Sequence, residues 1–283
     1  MLNKFALRVI AVLCVLATSL GSMSLNAVTD PEQDRLSFIE LYQKKFPDRP
    51  LDDYVFGALM LSEDAKQQYD SIMEFPPFSP AIEAGKAQWE KPFKNGKSFA
   101  ECFPNDGKLT AGNYPQYDEK LGKVVTFEMS INQCLVANDE TPLKISDMKS
   151  MGVLMSYART LSDGMKMNIK VNGAGAQAAY DAGKNYFYTR RGQLGFSCAS
   201  CHVENAGNRI RSEVLSTAVG QATHWPVFRA GDALTSLQVR YAGCNRSVRA
   251  EPLKIGGDEY NNLEYFHSYL SNGLPMQASV YRK

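Results

Sequence analysis

The pentapeptide Cys198-Ala199-Ser200-Cys201-His202 predicts more about this chain than any other segment. The spacing C-x-x-C-H is typical of covalent c-type haem attachment: two thiols add to the vinyl groups of one porphyrin, and the next residue places an imidazole on the iron. A zinc site would need a second ligand pair, and the chain has only three histidines. A thioredoxin-like redox pair would need a surrounding βαβ pattern, which the sequence does not show. We therefore predict one covalently attached haem c.

The N-terminus has the pattern of a secretory signal peptide. Lys4 and Arg8 precede an apolar run over residues 9–20, and Leu25-Asn26-Ala27 offers an approximate cleavage site. The run is too short to span a bilayer as a helix, although a retained anchor is the alternative. With residues 1–27 removed, we expect no membrane span in the mature chain. The expected location is a bacterial periplasm, where disulfides persist.

Length and charge exclude several classes of function. The chain has 283 residues, enough for two domains after removal of the signal at roughly 100–200 residues each. A formal net charge of +1 gives no support for nucleic acid binding. The sequence also contains no Gly-rich phosphate loop, no His-Glu-x-x-His zinc motif and no Gly-x-Ser-x-Gly nucleophile elbow.

The cysteine count leaves one thiol unexplained. Of six cysteines, Cys14 falls in the signal peptide, and two belong to the haem motif. Cys102, Cys134 and Cys244 remain. An odd number of cysteines in an oxidising compartment indicates one free thiol that has a role of its own.

The chain contains an internal duplication with a shift of about one hundred residues. Three landmarks occur in the same order in both copies, and three in register are hard to attribute to chance. The matching pairs are Ala81–Lys86 with Ala179–Lys184, Cys134–Lys144 with Cys244–Lys254, and Leu161–Gly164 with Leu270–Gly273.

The first copy has lost the residues that hold haem. Its counterparts of Cys198, Cys201 and His202 are Phe99, Cys102 and Phe103. Two buried aromatic rings, each covering about 150–250 Å², can fill the volume instead. Because Cys134 corresponds to Cys244, we predict a Cys102–Cys134 disulfide that closes a loop of about 30 residues and contributes about 2–4 kcal/mol. Two independent buried thiols are the alternative.

The fold class that follows is mainly α, with two tandem cytochrome c-like domains. We expect a helical lead-in and a haem-less domain over residues 28–172, and a haem-binding domain over residues 173–283. In the second domain, apolar side chains at helical spacing lead to a C-cap at Asn272-Gly273. These side chains are Tyr260, Leu263, Phe266 and Leu270.

His202 takes one axial position of the iron, and the other position has several candidates. Met276 is the best methionine, a ligand that raises the potential of electron carriers. His224 is a further candidate, although a structural role suits it better, and His267 is expected to face solvent. Cys244 is favoured by its register with Cys134, which predicts that it lies over the haem.

Cationic residues surround Cys244. Arg240 precedes it by four residues and shares its face if the segment is helical. Positive neighbours lower the pKa of a thiol and bind oxyanions by charge-assisted contacts. The first copy has Ser130 where the second has Arg240. Contact with haem propionates or with a partner is the alternative role for the other arginines, Arg229, Arg246 and Arg249.

These motifs together resemble the SoxA family, the catalytic subunits of the SoxAX cytochromes of periplasmic thiosulfate oxidation. The resemblance extends over the mature chain and includes the Cys198–His202 site, Trp225–Arg229, and Arg240 before Cys244. It is closest to the single-haem branch, because the N-terminal site lacks its histidine and one thiol.

The resemblance implies an enzyme that joins thiosulfate oxidatively to a cysteine of the carrier SoxYZ. Cys244 would be both distal iron ligand and sulfur-bearing nucleophile, Arg240 would stabilise the sulfur anion, and SoxX would accept electrons as the partner in a heterodimer. An electron-transfer cytochrome without transferase activity is the first alternative. A haem peroxidase is the second, but it normally needs another working haem, which Phe103 removes.

Overall fold

The computed structural model describes residues 30–282, so the predicted signal peptide lies outside the described residues. Within this range, helices predominate, and none of them has the length and apolar character needed to cross a membrane. The α-helices are α1 Pro31–Lys45, α2 Glu63–Glu74, α3 Ser79–Glu90, α4 Phe127–Ala137, α5 Val153–Ala158, α6 Gly173–Tyr188, α7 Leu237–Ser247 and α8 Asp258–Tyr269.

Short helical turns and small sheets connect these helices. The 3-10 turns are Leu51–Leu61, Phe99–Cys102, Pro104–Gly107, Ala111–Asn113, Thr160–Ser162 and Gln221–His224, and the π turns are Met148–Gly152 and Ser200–Glu204. The strands are β1 Gln116–Asp118, β2 Lys123–Val125, β3 Arg209–Ile210, β4 Glu213–Val214, β5 Val227–Arg229, β6 Ala233–Thr235 and β7 Val280–Tyr281. β1–β2, β3–β4 and β5–β6 are antiparallel pairs, and β7 adds to β5 in parallel.

The internal duplication is visible in the order of the elements. We call residues 79–167 the first repeat and residues 173–276 the second repeat. In each, a cis X-Pro bond precedes a hairpin, which leads into a helix of 11 residues (α4 or α7). Thr126 caps the first of these helices by accepting from the Met129 N–H at 3.3 Å, and Ser236 caps the second by accepting from the Val239 N–H at 3.4 Å.

A glycine permits the main helix crossing of each repeat. α3 packs on α5 at Gly85, where an added Cβ would lie 2.2 Å from the Val153 carbonyl oxygen. α6 packs on α8 at Gly183, where an added Cβ would lie 2.0 Å from the Asn262 carbonyl oxygen. The two glycines are equivalent in the Ala-Gly-Lys landmark. Only glycine allows the backbones to approach this closely.

The two repeats pair with each other through equivalent segments, which run antiparallel. Gly164 N–H donates to Met276 O and Gly273 N–H donates to Met167 O, both at 2.9 Å. Gly164 corresponds to Gly273 and Met167 to Met276. Each of the two hydrogen bonds is therefore the counterpart of the other when the repeats are interchanged. The same exchange relates two side-chain contacts at 2.7 and 2.8 Å, namely Ile169 N–H to Asn272 Oδ1 and Ala278 N–H to Asp163 Oδ1.

A disulfide and aromatic rings occupy the first repeat where the second has its haem motif. Cys102 and Cys134 are joined, which confirms the predicted pairing. Phe99 and Phe103 are buried and stack on Trp89, with ring centroids 5.3 and 5.8 Å apart. The two aromatic side chains therefore fill this space, as the sequence predicted.

The lead-in before the first repeat packs against the second repeat. Lys184 of α6 contacts the Asp34 carboxylate of α1 at 2.7 Å. Tyr42 and Phe38 of α1 are buried, and the Phe38 ring lies 6.2 Å from the ring of Phe187 in α6. α1 is thereby held close to the segment that carries the C-x-x-C-H motif.

Candidate functional site

Cys198 and Cys201 lie on a turn that is fixed by its own serines. Ser200 N–H donates to Ser197 Oγ at 3.1 Å, and Ser197 N–H donates to Ser200 Oγ at 3.2 Å. Both cysteines are half-buried free thiols. Burial raises the pKa of Cys198 to about 12, with the nearby Cys244 adding to the effect. Burial and then Cys244 also raise the pKa of Cys201.

His202 has one ring nitrogen committed and the other available. Its Nδ1 lies 2.9 Å from the Ser216 carbonyl oxygen, which can only accept, so Nδ1 carries the proton and Nε2 keeps its lone pair. Burial lowers the pKa of His202 despite the Ser216 hydrogen bond, and the charge of Arg240 lowers it further. The backbone oxygen of His202 accepts from the Tyr42 hydroxyl at 2.6 Å. A histidine oriented in this way is a ready metal ligand.

The donor set of this segment fits a covalently bound haem. Two free thiols two residues apart match the attachment chemistry, and the neutral imidazole that follows presents Nε2. Within residues 30–282, there is no group of three or more His, Cys, Asp or Glu side chains arranged to hold a metal ion.

Arg240 and Cys244 share one face of α7. The segment is helical, so the condition stated for their common face is met and they lie one turn apart. Cys244 is half-buried, and it lies close enough to Cys198 and Cys201 to raise the pKa of both thiols. An added Cβ at the neighbouring Gly243 would meet nothing within 4 Å, so α7 is uncovered at that position.

Arg229 joins this group from strand β5. Its burial lowers its pKa, and the charge of Arg240 lowers it further, while Cys244 acts in the opposite direction. Two guanidinium groups therefore lie within electrostatic range of the Cys244 sulfur. A half-buried thiol near two guanidinium groups can receive and hold an anionic sulfur compound. Arg240, Arg246 and Arg249 are all exposed, whereas Arg229 is half-buried.

The other candidates for the distal ligand have different surroundings. Met276 is 1% exposed, and an added Cβ at Gly112 of the first repeat would lie 3.2 Å from its Sδ. His224 is buried with its ring stacked on Trp225 at 5.6 Å, and burial holds its pKa well below the usual value. Cys244 lies close enough to Cys198 and Cys201 to raise the pKa of both thiols.

The expectation that His267 faces solvent is wrong. The residue is 3% exposed, and both ring nitrogens have hydrogen-bond partners in the protein. The spacing of apolar residues on α8 predicted one buried face. The helix is instead covered on several sides, since Asn261, Glu264 and Tyr265 are buried as well as the predicted apolar face.

Several residues of the site were not found by sequence reasoning. Tyr42, Ser216 and Tyr241 contact the site through hydrogen bonds or charge, and no motif marks them. Tyr42 precedes His202 by 160 residues, so only the folded chain brings the two together.

Comparisons with known proteins identify the family of this chain. A family model described as the SoxA/TsdA cytochrome c domain matches residues 84–167, which lie in the first repeat. L-cysteine S-thiosulfotransferase subunit SoxA from Chlorobaculum tepidum is 42% identical over 274 residues, covering 95% of each chain. The protein of the same name from Allochromatium vinosum is 38% identical over 256 residues, covering 89% of this chain and 90% of that protein.

A solved structure shows the same fold. The crystal structure of SoxXA from Paracoccus pantotrophus matches with a TM-score of 0.67 and 32% identity, covering 74% of this chain and 79% of that chain. The fold is thus mostly helical and cytochrome c-like. With relatives of this identity aligned over nearly their whole length, the chain belongs to the SoxA family.

Proposed function

We propose that this chain is the haem-bearing subunit of an L-cysteine S-thiosulfotransferase, which joins thiosulfate to a cysteine of a carrier protein. The relatives named above carry that activity in their names. The observation that carries the proposal is the placement of Cys244 on one helical face with Arg240, within electrostatic range of Cys198 and Cys201.

The residues divide into two sets around one haem c. Cys198 and Cys201 would attach it, and His202 would bind its iron. Cys244 would be a second iron ligand and the group that holds sulfur. When bound, the haem accepts electrons one at a time.

The overall reaction needs an electron acceptor. A carrier thiol and thiosulfate give a cysteine S-thiosulfonate, one proton and two electrons, and the new bond joins the two sulfur atoms. Arg240 and Arg229 supply the positive charge that attracts thiosulfate and stabilises negative charge on sulfur at Cys244. The open surface beside Gly243 leaves room for the carrier cysteine to approach.

The electrons leave through a second cytochrome subunit. The solved relative is a SoxXA complex, and we propose SoxX as the partner of this chain in a heterodimer, with the SoxYZ cysteine as the acceptor of thiosulfate. The mature chain acts in the periplasm after removal of residues 1–27.

The two repeats correspond to two cytochrome c-like domains, residues 28–172 and 173–283. The repeated hairpin, capped helix and glycine crossing support this division. The first domain holds no haem, since Phe99 and Phe103 occupy the space and Cys102 is in a disulfide.

Replacement of Cys244 by methionine tests the proposal. Methionine keeps a sulfur ligand for the iron but removes the nucleophilic thiol. We expect the haem-loaded Cys244→Met protein, with its cytochrome partner, to accept and donate electrons yet to give no thiosulfonate on the carrier cysteine, measured by intact mass. Arg240→Ala should slow transfer by about 10–100-fold, as expected for loss of a charge-assisted contact of roughly 1.5–3 kcal/mol.

Arg49→Ala is the control, because Arg49 lies on the lead-in and contacts Glu63 at 3.4 Å. It should transfer thiosulfate at the unmodified rate. Normal transfer by Cys244→Met would refute the enzymatic role of Cys244 and leave electron transport as the function of the chain.

A further inference from the structure

A buried chain of hydrogen bonds joins the helix of Cys244 to the backbone of His202. The Tyr241 hydroxyl lies 2.9 Å from His267 Nδ1, and His267 Nε2 lies 3.1 Å from the Ala218 carbonyl oxygen. Ala218 N–H donates to the Tyr42 hydroxyl at 3.1 Å, and that hydroxyl donates to the His202 carbonyl oxygen at 2.6 Å. We call Tyr241, His267, Ala218 and Tyr42 the polar bridge.

Each group in the polar bridge has one direction of donation. The Ala218 carbonyl can only accept, so His267 Nε2 carries the proton and Nδ1 accepts from Tyr241. Burial lowers the pKa of His267 to about 3, with the charge of His202 adding to the effect, so the ring stays neutral. The bridge therefore keeps these hydrogen bonds at neutral pH.

The polar bridge connects three helices and is almost free of solvent. Tyr42 belongs to α1, Tyr241 to α7 and His267 to α8, and their exposed fractions are 0%, 8% and 3%. Tyr241 lies three residues before Cys244 on the same helix. Loss of any one hydrogen bond would leave a buried polar atom unpaired, which makes the arrangement of the helices specific.

The first repeat shows what the fold uses when no haem is held. Ile131 corresponds to Tyr241 and Ala158 to His267, in the register that aligns Cys134 with Cys244 and Leu161 with Leu270. Ile131 and Ala158 are both fully buried. An apolar pair is thus sufficient for packing the equivalent helices, and the polar bridge occurs in the repeat that has the C-x-x-C-H motif and Arg240.

We propose that Tyr241, His267 and Tyr42 are positioning residues that hold Cys244 and His202 at a fixed separation across the haem. Tyr42 restrains the backbone of His202, and Tyr241 restrains α7, which carries Cys244. Without the bridge, α7 is free to shift relative to His202, and Cys244 then occupies more than one position. The inference rests on the proposed function, because that function places His202 and Cys244 on the two sides of the haem.

The experiment uses the haem-loaded chain with its cytochrome partner and four groups of variants. His267→Leu removes both bonds of the ring, whereas His267→Gln can donate to Ala218 and accept from Tyr241. Tyr42→Phe and Tyr241→Phe each remove one hydroxyl. Tyr54→Phe is the matched control: its ring lies 6.1 Å from that of Tyr42, and its buried hydroxyl has no hydrogen-bond partner among the described residues. Cys244→Ala removes the proposed distal ligand, so its spectrum shows which signal depends on that ligand.

The readouts are the electron paramagnetic resonance spectrum of the ferric haem and a redox titration. In the unmodified protein, we expect one low-spin species that disappears in Cys244→Ala. In His267→Leu, its share should fall by at least half, a second species should appear, and the titration should show two components. His267→Gln and Tyr54→Phe should retain the single species.

The results test two claims separately: the positioning role of the polar bridge and the assignment of Cys244 as an iron ligand. If His267→Leu fails to bind haem, the spectra and titrations of Tyr42→Phe and Tyr241→Phe test the positioning role instead. A single unmodified species in His267→Leu, Tyr42→Phe and Tyr241→Phe would overturn the role of the polar bridge. An unchanged spectrum in Cys244→Ala would instead refute the ligand assignment, and the inference would fall with it.

Discussion

Replacement of Gly183 by alanine tests the helix crossing on which the second repeat depends. The added Cβ would lie 2.0 Å from the Asn262 carbonyl oxygen and 2.9 Å from the Phe266 Cβ. Ordinary contact begins at 3.4 Å, so α6 and α8 must separate by about 3.4 − 2.0 = 1.4 Å. Because the first obstacle is backbone, a side-chain rotation cannot relieve it.

The separation disturbs aromatic contacts on both sides of the glycine. The Phe266 ring lies 5.2 Å from the Tyr180 ring and 5.3 Å from the Phe187 ring, and all three are buried. Overpacking of this kind costs about 1–3 kcal/mol, and loosened packing adds to it. Alanine regains about 1 kcal/mol of helix propensity. The expected net loss is about 1–2 kcal/mol, or a fall in Tm of roughly 2–8 °C for a chain of this size.

Thermal unfolding of the haem-loaded protein, followed by circular dichroism, measures this loss. Gly243→Ala in α7 is the control, because its Cβ would meet nothing within 4 Å. That variant should be as stable as the unmodified protein or more stable by about 0.5–1 kcal/mol. A change in free energy of 1 kcal/mol shifts the Tm by about 2–4 °C. A Gly183→Ala protein whose Tm lies within about 1 °C of that of the unmodified protein would therefore refute the argument.

Two further predictions concern stability. Cys102→Ser with Cys134→Ser should lower the free energy of unfolding by about 2–4 kcal/mol in urea titrations, with the haem absorption spectrum unchanged, since the disulfide lies in the other repeat. Burial raises the pKa of Glu264 from 4.5 to about 8, so between these values the folded chain keeps a proton that the unfolded chain loses. Stability should therefore fall as pH rises from 5 to 8, and Glu264→Gln should reduce that fall; equal pH slopes for the two proteins would contradict the assignment.

The covalent motif and the duplication were accessible from the sequence because both depend on local order. The register of Cys134 with Cys244 predicted the disulfide, and the spacing of Arg240 and Cys244 predicted their common helical face. The helix from Tyr260 was also predicted, although it ends at Tyr269 and not at the cap residues Asn272-Gly273.

The contacts that were not predicted depend on the packing of distant segments. His267 lies on a helix covered on several sides, and hydrophobic periodicity does not reveal which polar residue such a helix buries with partners. Tyr42 reaches His202 from a lead-in that has no counterpart in the duplication. The three candidates for the distal ligand likewise differ in tertiary position and not in local pattern.

The exchange of hydrogen bonds between the two repeats has a consequence for the origin of the chain. Gly164 with Met276 and Gly273 with Met167 form a self-complementary contact, in which the same segment is used on both sides. Isologous dimers associate through contacts of this kind. A single-repeat protein with this segment exposed would already be able to pair with its own copy. Fusion of two such copies would preserve the interface and leave one haem site free to diverge.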